Sequence, residues 1–188
     1  MIPSKKEKSW ISIEYPCVIV MTSGGFRCGY VGVPENHPLY GVNYNETTHK
    51  LAGYIERVFN VREVSLNELM DSLGPMVIFS ASLSGDFYKP EVTVKTHKGL
   101  TYSNSYCPGT VFENHWWFGF DCNHFDDKPD MSKISKVRDM VLMSLVENEH
   151  GVHRTLEYCF NICVGMADQF RQIHTEYEFR KEILFRKF

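Results

Sequence analysis

The 188-residue chain lacks an excess of basic side chains, since 20 Lys and Arg stand against 23 Asp and Glu, a formal net charge of -3. Proteins that wrap a long phosphate backbone need clustered positive charge, so this composition argues against DNA or RNA as the partner. One or two placed cations suffice for a small anion. We therefore expect a small ligand and no long nucleic acid.

Long apolar runs are missing as well. No stretch reaches the roughly 18 consecutive apolar residues of a membrane span. The apolar segment near the N-terminus is interrupted by Ser12, Glu14 and Pro16, unlike a signal-peptide core. The sequence therefore predicts a cytoplasmic protein with no membrane partner. The six cysteines include no C-x-x-C pair, which favours buried thiols over a disulfide framework.

Several motifs of enzymes and cofactor sites are absent, namely G-x-S-x-G, the P-loop, G-x-G-x-x-G and H-E-x-x-H. The closest approach to a metal site is the run Asp121, His124, Asp126 and Asp127. With His97 or His37 from elsewhere in the chain, such a set would hold a divalent ion that activates water for phosphodiester hydrolysis. Mixed Asp/His turns are common without metal, so we expect no metal or other cofactor.

The pattern of apolar residues predicts one α+β domain spanning residues 1–188. Strands are expected at 11–22, 26–33, 76–82, 91–96 and 115–121, and short helices at 45–59 and 65–73. From residue 132 onwards the period changes to that of helices, which predicts two C-terminal helices of roughly 15 and 22 residues. They should pack on one face of a mainly antiparallel sheet. Residues 177–188 would form a helical extension or an oligomerisation arm.

Aromatic residues concentrate in the strand predicted at 115–121. Alternation places Trp117, Gly119 and Asp121 on one face, opposite Trp116 and its apolar companions. The large ring of Trp117, the space over Gly119 and the carboxylate of Asp121 would suit a planar base that stacks on Trp117 and is held by Asp121. Such stacking is worth roughly 1–3 kcal/mol. A central strand buried on both faces would have the same composition.

Two further segments carry polar side chains of functional interest. His37 lies between Pro34 and Pro38, which restricts the backbone and suits either a preorganised ligand contact or a rigid connection. His97 and Lys98 follow the strand predicted at 91–96. Lys98 would meet a phosphate as a point charge, although a β-turn with polar side chains would look the same.

Taken together, the three segments resemble a largely uncharacterised family of small proteins encoded by tailed phages and some bacteria. Its motifs are G-Y-V-G-V-P-x-x-H-P-L-Y-G, H-x-G-L-T-Y-S and W-W-F-G-F-D-C-x-H-x-x-D, which this chain carries at 29–41, 97–103 and 116–127. The matching positions are Tyr30, His37, Tyr40, His97, Thr101, Tyr102, Ser103, Trp116, Trp117, Asp121, His124 and Asp127. Lys98 and Ile162 depart from the family pattern, which often has glycine and glutamate there.

The resemblance implies a phage counter-defence protein of the host cytoplasm. Its expected function is to bind and sequester a nucleotide-derived immune signal, such as a cyclic nucleotide or cyclic ADP-ribose, as a homo-oligomer. The expected ligand-binding residues are Tyr30, His37, Tyr40, His97, Lys98, Thr101, Tyr102, Ser103, Trp117, Asp121 and His124. Two alternatives stay open: a phosphodiesterase or hydrolase that degrades such a signal, and a non-catalytic phage adaptor.

Overall fold

The computed structural model of the protein describes residues 5–44, 94–110, 112–134 and 151–185. Its main element is a five-stranded antiparallel sheet in the order β1-β2-β3-β5-β4. The strands are β1 (Lys5–Ser12), β2 (Tyr15–Met21), β3 (Arg27–Pro34), β4 (Tyr102–Asn104) and β5 (His115–Asp121). The expectation of an α+β fold with a mainly antiparallel sheet is confirmed. The elements predicted at 45–59, 65–73 and 76–82 lie outside the described residues.

The first predicted strand, 11–22, is wrong as a single element because a hairpin turn divides it. Ser12 pairs with Tyr15, so Ile13 and Glu14 form a two-residue loop between β1 and β2. Ile13 adopts a φ of 63° there, a left-handed conformation that is strained for a β-branched residue. The strand predicted at 91–96 is also corrected, since its described part, 94–96, is irregular.

One face of the sheet packs against a single long helix, α1 (Leu156–Phe185). Ile19, Val31 and Phe118 from the sheet meet Cys163 and Phe170 from the helix in one buried cluster. Within the described ranges this is the only α-helix. A 3-10 turn, Met131–Lys133, stands where the first C-terminal helix was predicted to begin, and the rest of that predicted helix lies outside the described residues. Residues 177–185 continue α1, which supports the helical-extension alternative for that part of the tail.

The opposite face of the sheet is buried too. Val18, Val20, Tyr30 and Trp117 form a second apolar cluster, joined by Cys107 from the loop after β4. Strands β2, β3 and β5 are therefore central strands with apolar residues on both faces.

Glycine and aromatic residues pair reciprocally across β3 and β5. Gly119 lies opposite Tyr30, and Gly29 lies opposite Phe120. A Cβ on Gly119 would come within 2.5 Å of the Tyr30 ring, and one on Gly29 within 2.4 Å of the Phe120 ring. Each glycine thus makes room for the ring across from it, one pair on each face.

A buried arginine fastens the end of the sheet to the segment that precedes the helix. Arg27 donates from Nε to Glu7 at 2.7 Å and from a terminal nitrogen to the carbonyl of Arg154 at 2.9 Å. The parallel strands β6 (Asp127–Lys128) and β7 (Val152–His153) pair beside it. This network fixes where residues 127 and 154 lie. Among the described residues, no helix is both long enough and apolar enough to cross a bilayer.

Candidate functional site

Antiparallel pairing of β4 and β5 brings two distant histidines together. Tyr102 lies opposite Gly119, and the amide of Thr101 continues the contact by donating to the carbonyl of Gly119 at 2.9 Å. Five residues back from Tyr102 is His97, and five residues on from Gly119 is His124. The same register therefore carries the two imidazoles to one end of the sheet, where their ring centroids are 5.0 Å apart.

A tight turn adds a carboxylate to this pair. The amide of Asp127 donates to the carbonyl of His124 at 2.9 Å, which closes a β-turn over 124–127. Oδ2 of Asp127 is 2.8 Å from Nε2 of His97 and 3.1 Å from Nδ1 of His124. One ligand atom from each of the three residues lies within 4.8 Å of the others. Two imidazoles and a carboxylate at such spacing are a ligand set for Zn²⁺ or another divalent ion.

Outer contacts orient two of these three groups. The hydroxyl of Tyr158 lies 2.9 Å from Nδ1 of His97, and Nε of Arg154 donates to Oδ1 of Asp127 at 2.7 Å. The carboxylate of Asp127 accepts from the Nε2–H of His97, and Nδ1 of His97 accepts from the Tyr158 hydroxyl. A metal on Nε2 would displace that proton, and with the proton on Nδ1 the ring would donate to Tyr158 instead. Because Arg154 binds Oδ1 of Asp127, the other carboxylate oxygen, Oδ2, faces the two histidines. Partners of this kind set the tautomer and direction of metal ligands.

Burial and charge shape the cluster further. Burial raises the pKa of Asp127, but hydrogen bonds from Arg154, His97 and the amide of His124 outweigh it and hold that pKa at about 2. Asp127 is therefore ionised at neutral pH. His97 is buried, whereas the His124 side chain is 25% exposed, so solvent reaches the cluster from the His124 side.

The rim of the cluster carries balanced charge. Lys98, in a left-handed conformation with a φ of 57°, forms an ion pair with Asp126. Arg154 stands 3.6 Å from the other oxygen of that carboxylate. Two cations thus face the two carboxylates Asp126 and Asp127. A bound divalent ion would give this region net positive charge, which favours an anionic substrate.

The expected stacking face on β5 is absent, which corrects that interpretation. Trp117 is fully buried in the second apolar cluster, and the gap over Gly119 is filled by the Tyr30 ring. Tyr102 packs edge-on against Tyr30 with ring centroids 5.1 Å apart. The structure thus has the alternative arrangement, a strand buried on both faces, and these three aromatic rings are part of the core.

His37 lies away from the cluster and has both ring nitrogens engaged. Nε2 donates to the carbonyl of Phe170 at 2.9 Å, while Nδ1 accepts from the amide of Leu39 at 3.1 Å. Burial, which outweighs the hydrogen bond to Phe170, lowers the pKa of His37 to about 4. His37 is a neutral connection between the loop after β3 and the helix, as the rigid-connection alternative anticipated.

The remaining predicted residues hold loops or lie apart from the cluster. Ser103 accepts the amide of Tyr44 at 3.0 Å, and Asp121 accepts the amide of Asn123 at 3.0 Å. Tyr40 lies beside Trp116, with ring centroids 6.4 Å apart. Thr101 is exposed beside β5. Of the eleven expected ligand residues, therefore, His97, Lys98 and His124 meet at one place.

Sequence reasoning missed Tyr158 and Arg154 as members of the site. Tyr158 lies in the first turn of α1 and Arg154 just before it. The helical period of 156–170 marks which residues face the core, but a tyrosine in a first turn has no distinctive signature. For Asp127, the spacing from His124 in the sequence already indicated a candidate metal ligand. No family model, curated protein or solved structure matches the chain.

Proposed function

We propose that this protein is a metal-dependent hydrolase of a small phosphorylated substrate of nucleotide type. The observation that carries the proposal is the convergence of His97, His124 and Asp127, whose ligand atoms lie within 4.8 Å of one another. Tyr158 and Arg154 hold the outer atoms of two of them. Hydrogen bonds to those atoms of the ligand side chains that face away from the ion are typical of metal centres.

The chemistry follows from the number of protein ligands. Three of them leave positions open for water and for a substrate oxygen, as in catalytic zinc sites. An ion held there would supply a Lewis acid for the phosphoryl group and a bound water whose pKa is lowered to about 7. His124 is the residue of the cluster nearest to solvent, so a substrate would approach from its side, where Lys98 and Arg154 would supply positive charge to the developing anion.

The nucleotide character of the substrate is supported by Phe125. Its side chain is 90% exposed, whereas the other exposed large hydrophobic residues in the described part of the chain range from 45% to 56%. It lies in the turn between His124 and Asp127, next to the partly exposed His124. A base stacked on an aromatic ring gains roughly 1–3 kcal/mol. Phe125 thus offers the stacking surface that the buried Trp117 does not.

This proposal revises the expected sequestration of an intact signal. Trp117 is buried and Ser103 accepts the amide of Tyr44, so two of the side chains expected to bind base and phosphate are already engaged within the fold. A role in phage counter-defence, within the host cytoplasm and as a homo-oligomer, remains part of the proposal on the motif resemblance. In that role the protein would degrade the signal.

The first experiment measures metal binding without requiring a substrate. Protein stripped with chelator is titrated with Zn²⁺ and Mn²⁺ by calorimetry, and we expect one site per chain. His124→Gln should abolish binding while preserving the circular dichroism spectrum, because His124 is partly exposed. His115→Gln, at the half-buried start of β5 and outside the cluster, is the matched control. Binding that survives in His124→Gln would overturn the metal site.

The second experiment tests hydrolysis. The metal-loaded protein is incubated with cyclic nucleotides, cyclic dinucleotides and cyclic ADP-ribose isomers, then heat-denatured, and the supernatant is assayed for product. A converted nucleotide supports the hydrolase, and chelator should stop turnover. Intact ligand released by heat would instead support sequestration. Absence of both conversion and depletion would contradict both functions.

Phe125→Ala tests the base-stacking surface separately. The loss of roughly 1–3 kcal/mol of stacking should weaken nucleotide binding about 5- to 150-fold, without changing competition by inorganic phosphate. Phe112→Ala, which removes another exposed phenylalanine, is the control. An equal effect of Phe125→Ala on nucleotide and phosphate would refute stacking while leaving the metal site intact.

A further inference from the structure

Two buried cysteines lie side by side next to the candidate metal centre. Sγ of Cys122 is 3.7 Å from Sγ of Cys159. Cys122 follows β5 directly and precedes His124 by two residues, and Cys159 follows Tyr158 in the first turn of α1. The thiol pair therefore joins the two segments that supply a metal ligand and the partner of another ligand.

We propose that Cys122 and Cys159 form a reversible disulfide under peroxide, and that this bond disables the adjacent His97–His124–Asp127 site. The cross-link itself is independent of the proposed function, whereas its effect on metal binding rests on it. A disulfide requires the sulfurs to approach to about 2.05 Å. We expect closing the gap to draw the segment before His124 and the turn that holds Tyr158 towards each other.

Each thiol of the pair has the other as its hydrogen-bond partner, and either can be the donor. Thiolates are the nucleophiles of cysteine oxidation. Oxidation of either cysteine to the sulfenic acid therefore leaves a second thiol in position to form the disulfide.

The oxidation balances with hydrogen peroxide as the oxidant. The thiolate of one cysteine of the pair attacks one peroxide oxygen, an S–O bond forms, the O–O bond breaks, and hydroxide leaves to become water with the released thiol proton. The sulfur of the other cysteine then attacks the sulfenic acid, an S–S bond forms and a second water departs with the proton of that second thiol. Two thiols lose two electrons in total, and a dithiol reductant reverses the reaction.

Peptide mapping of the full chain tests the cross-link. Metal-free protein is treated with hydrogen peroxide, unfolded and titrated for thiols, and the count should fall from six by two. Trypsin leaves Cys159 with Cys163 in one peptide and Cys107 with Cys122 in another. The linkage is therefore assigned in the double variant Cys107→Ala/Cys163→Ala, which should still form it. Cys122→Ser and Cys159→Ser should each prevent it. Retention of all six thiols, or a bond to any other cysteine, would overturn the proposal.

Zinc titration of the oxidised and reduced protein tests the effect on the site. Displacing the outer partner of a ligand weakens metal binding about 10- to 100-fold, so we expect a loss of that size on oxidation and recovery with dithiol. Cys122→Ser should be insensitive to peroxide. Equal affinity in the two states would refute the inhibitory role even if the disulfide forms. Absence of zinc binding in the reduced protein would instead refute the proposed function and leave the cross-link standing.

Discussion

Acidification should destabilise this protein through His37 before its carboxylates are protonated. The ring is buried with Nε2 donating to Phe170 and Nδ1 accepting from Leu39, an arrangement that only the neutral tautomer satisfies. Burial lowers its pKa from 6.5 to about 4 in the folded state. Between these values the unfolded chain binds the extra proton, so the stability conferred by neutral His37 is complete above pH 6.5 and is lost as the pH falls to 4.

The size of the effect follows from the shift in pKa. Each unit corresponds to about 1.4 kcal/mol, so the whole loss is about 3 kcal/mol. About 2 kcal/mol of it should be gone by pH 5. Repulsion from the nearby ring of His174, whose centroid is 5.1 Å from that of His37, is already one of the causes of this lowered pKa and adds nothing further. A change of this size is a large fraction of the stability of an ordinary domain.

Urea denaturation between pH 8 and pH 4.5, with chelator present, measures this loss. His37→Gln keeps an amide donor for the Phe170 carbonyl but cannot titrate, so its stability should vary less with pH than that of the wild type. The difference between the two curves should approach 2 kcal/mol at pH 5. Parallel curves would refute the assignment of His37 as the titrating group, since every carboxylate is common to both proteins.

Three substitutions test the packing of the sheet. Gly119→Ala places a Cβ 2.5 Å from the Tyr30 ring and should lower the free energy of unfolding by about 1–3 kcal/mol; unchanged thermal stability would show that the ring can yield. Trp117→Ala empties a fully buried site and should cost about 3–5 kcal/mol, so a mild effect in urea denaturation would contradict its place in the core. Ile13→Gly relieves a left-handed φ of 63°, worth about 1–2 kcal/mol against about 0.5–1 kcal/mol of glycine entropy, and should leave the melting temperature equal or higher; a fall of several degrees would contradict the strain.

The sequence predicted the centre of the sheet better than its edges. β3 and β5 were expected within one residue of their observed bounds, because continuous apolar and aromatic runs are characteristic of strands buried on both faces. The hairpin in 11–22 was missed because its loop contains Ile13, a residue that avoids left-handed turns. Alternation along β5 gave its two faces correctly. The second face of β5 is covered by Tyr30, which lies on another strand. The sequence of β5 alone therefore could not show that this face is buried.

The sequence could not predict that His97 and His124 lie together, because this depends on which residues form the strand next to His97. A strand predicted at 91–96 makes His97 a residue that follows a strand, at an end of the sheet set by an unknown partner. The observed strand β4 instead begins at Tyr102, so His97 precedes it, and the pairing of Tyr102 with Gly119 places His97 level with His124. A shift of the strand by a few residues thus decides whether the histidines meet.

The same register explains why the site tolerates little change in length. His97 reaches Asp127 only because residues 98–101 span the distance to β4 through left-handed Lys98 and Gly99, with φ of 57° and 101°. One residue inserted between His97 and Tyr102 leaves the pairing of β4 with β5 available, yet it displaces the imidazole from the carboxylate by up to about 3.3 Å. The core depends on β2, β3, β5 and α1, so the fold should survive such an insertion. Metal binding should not, which separates the requirements of the site from those of the fold.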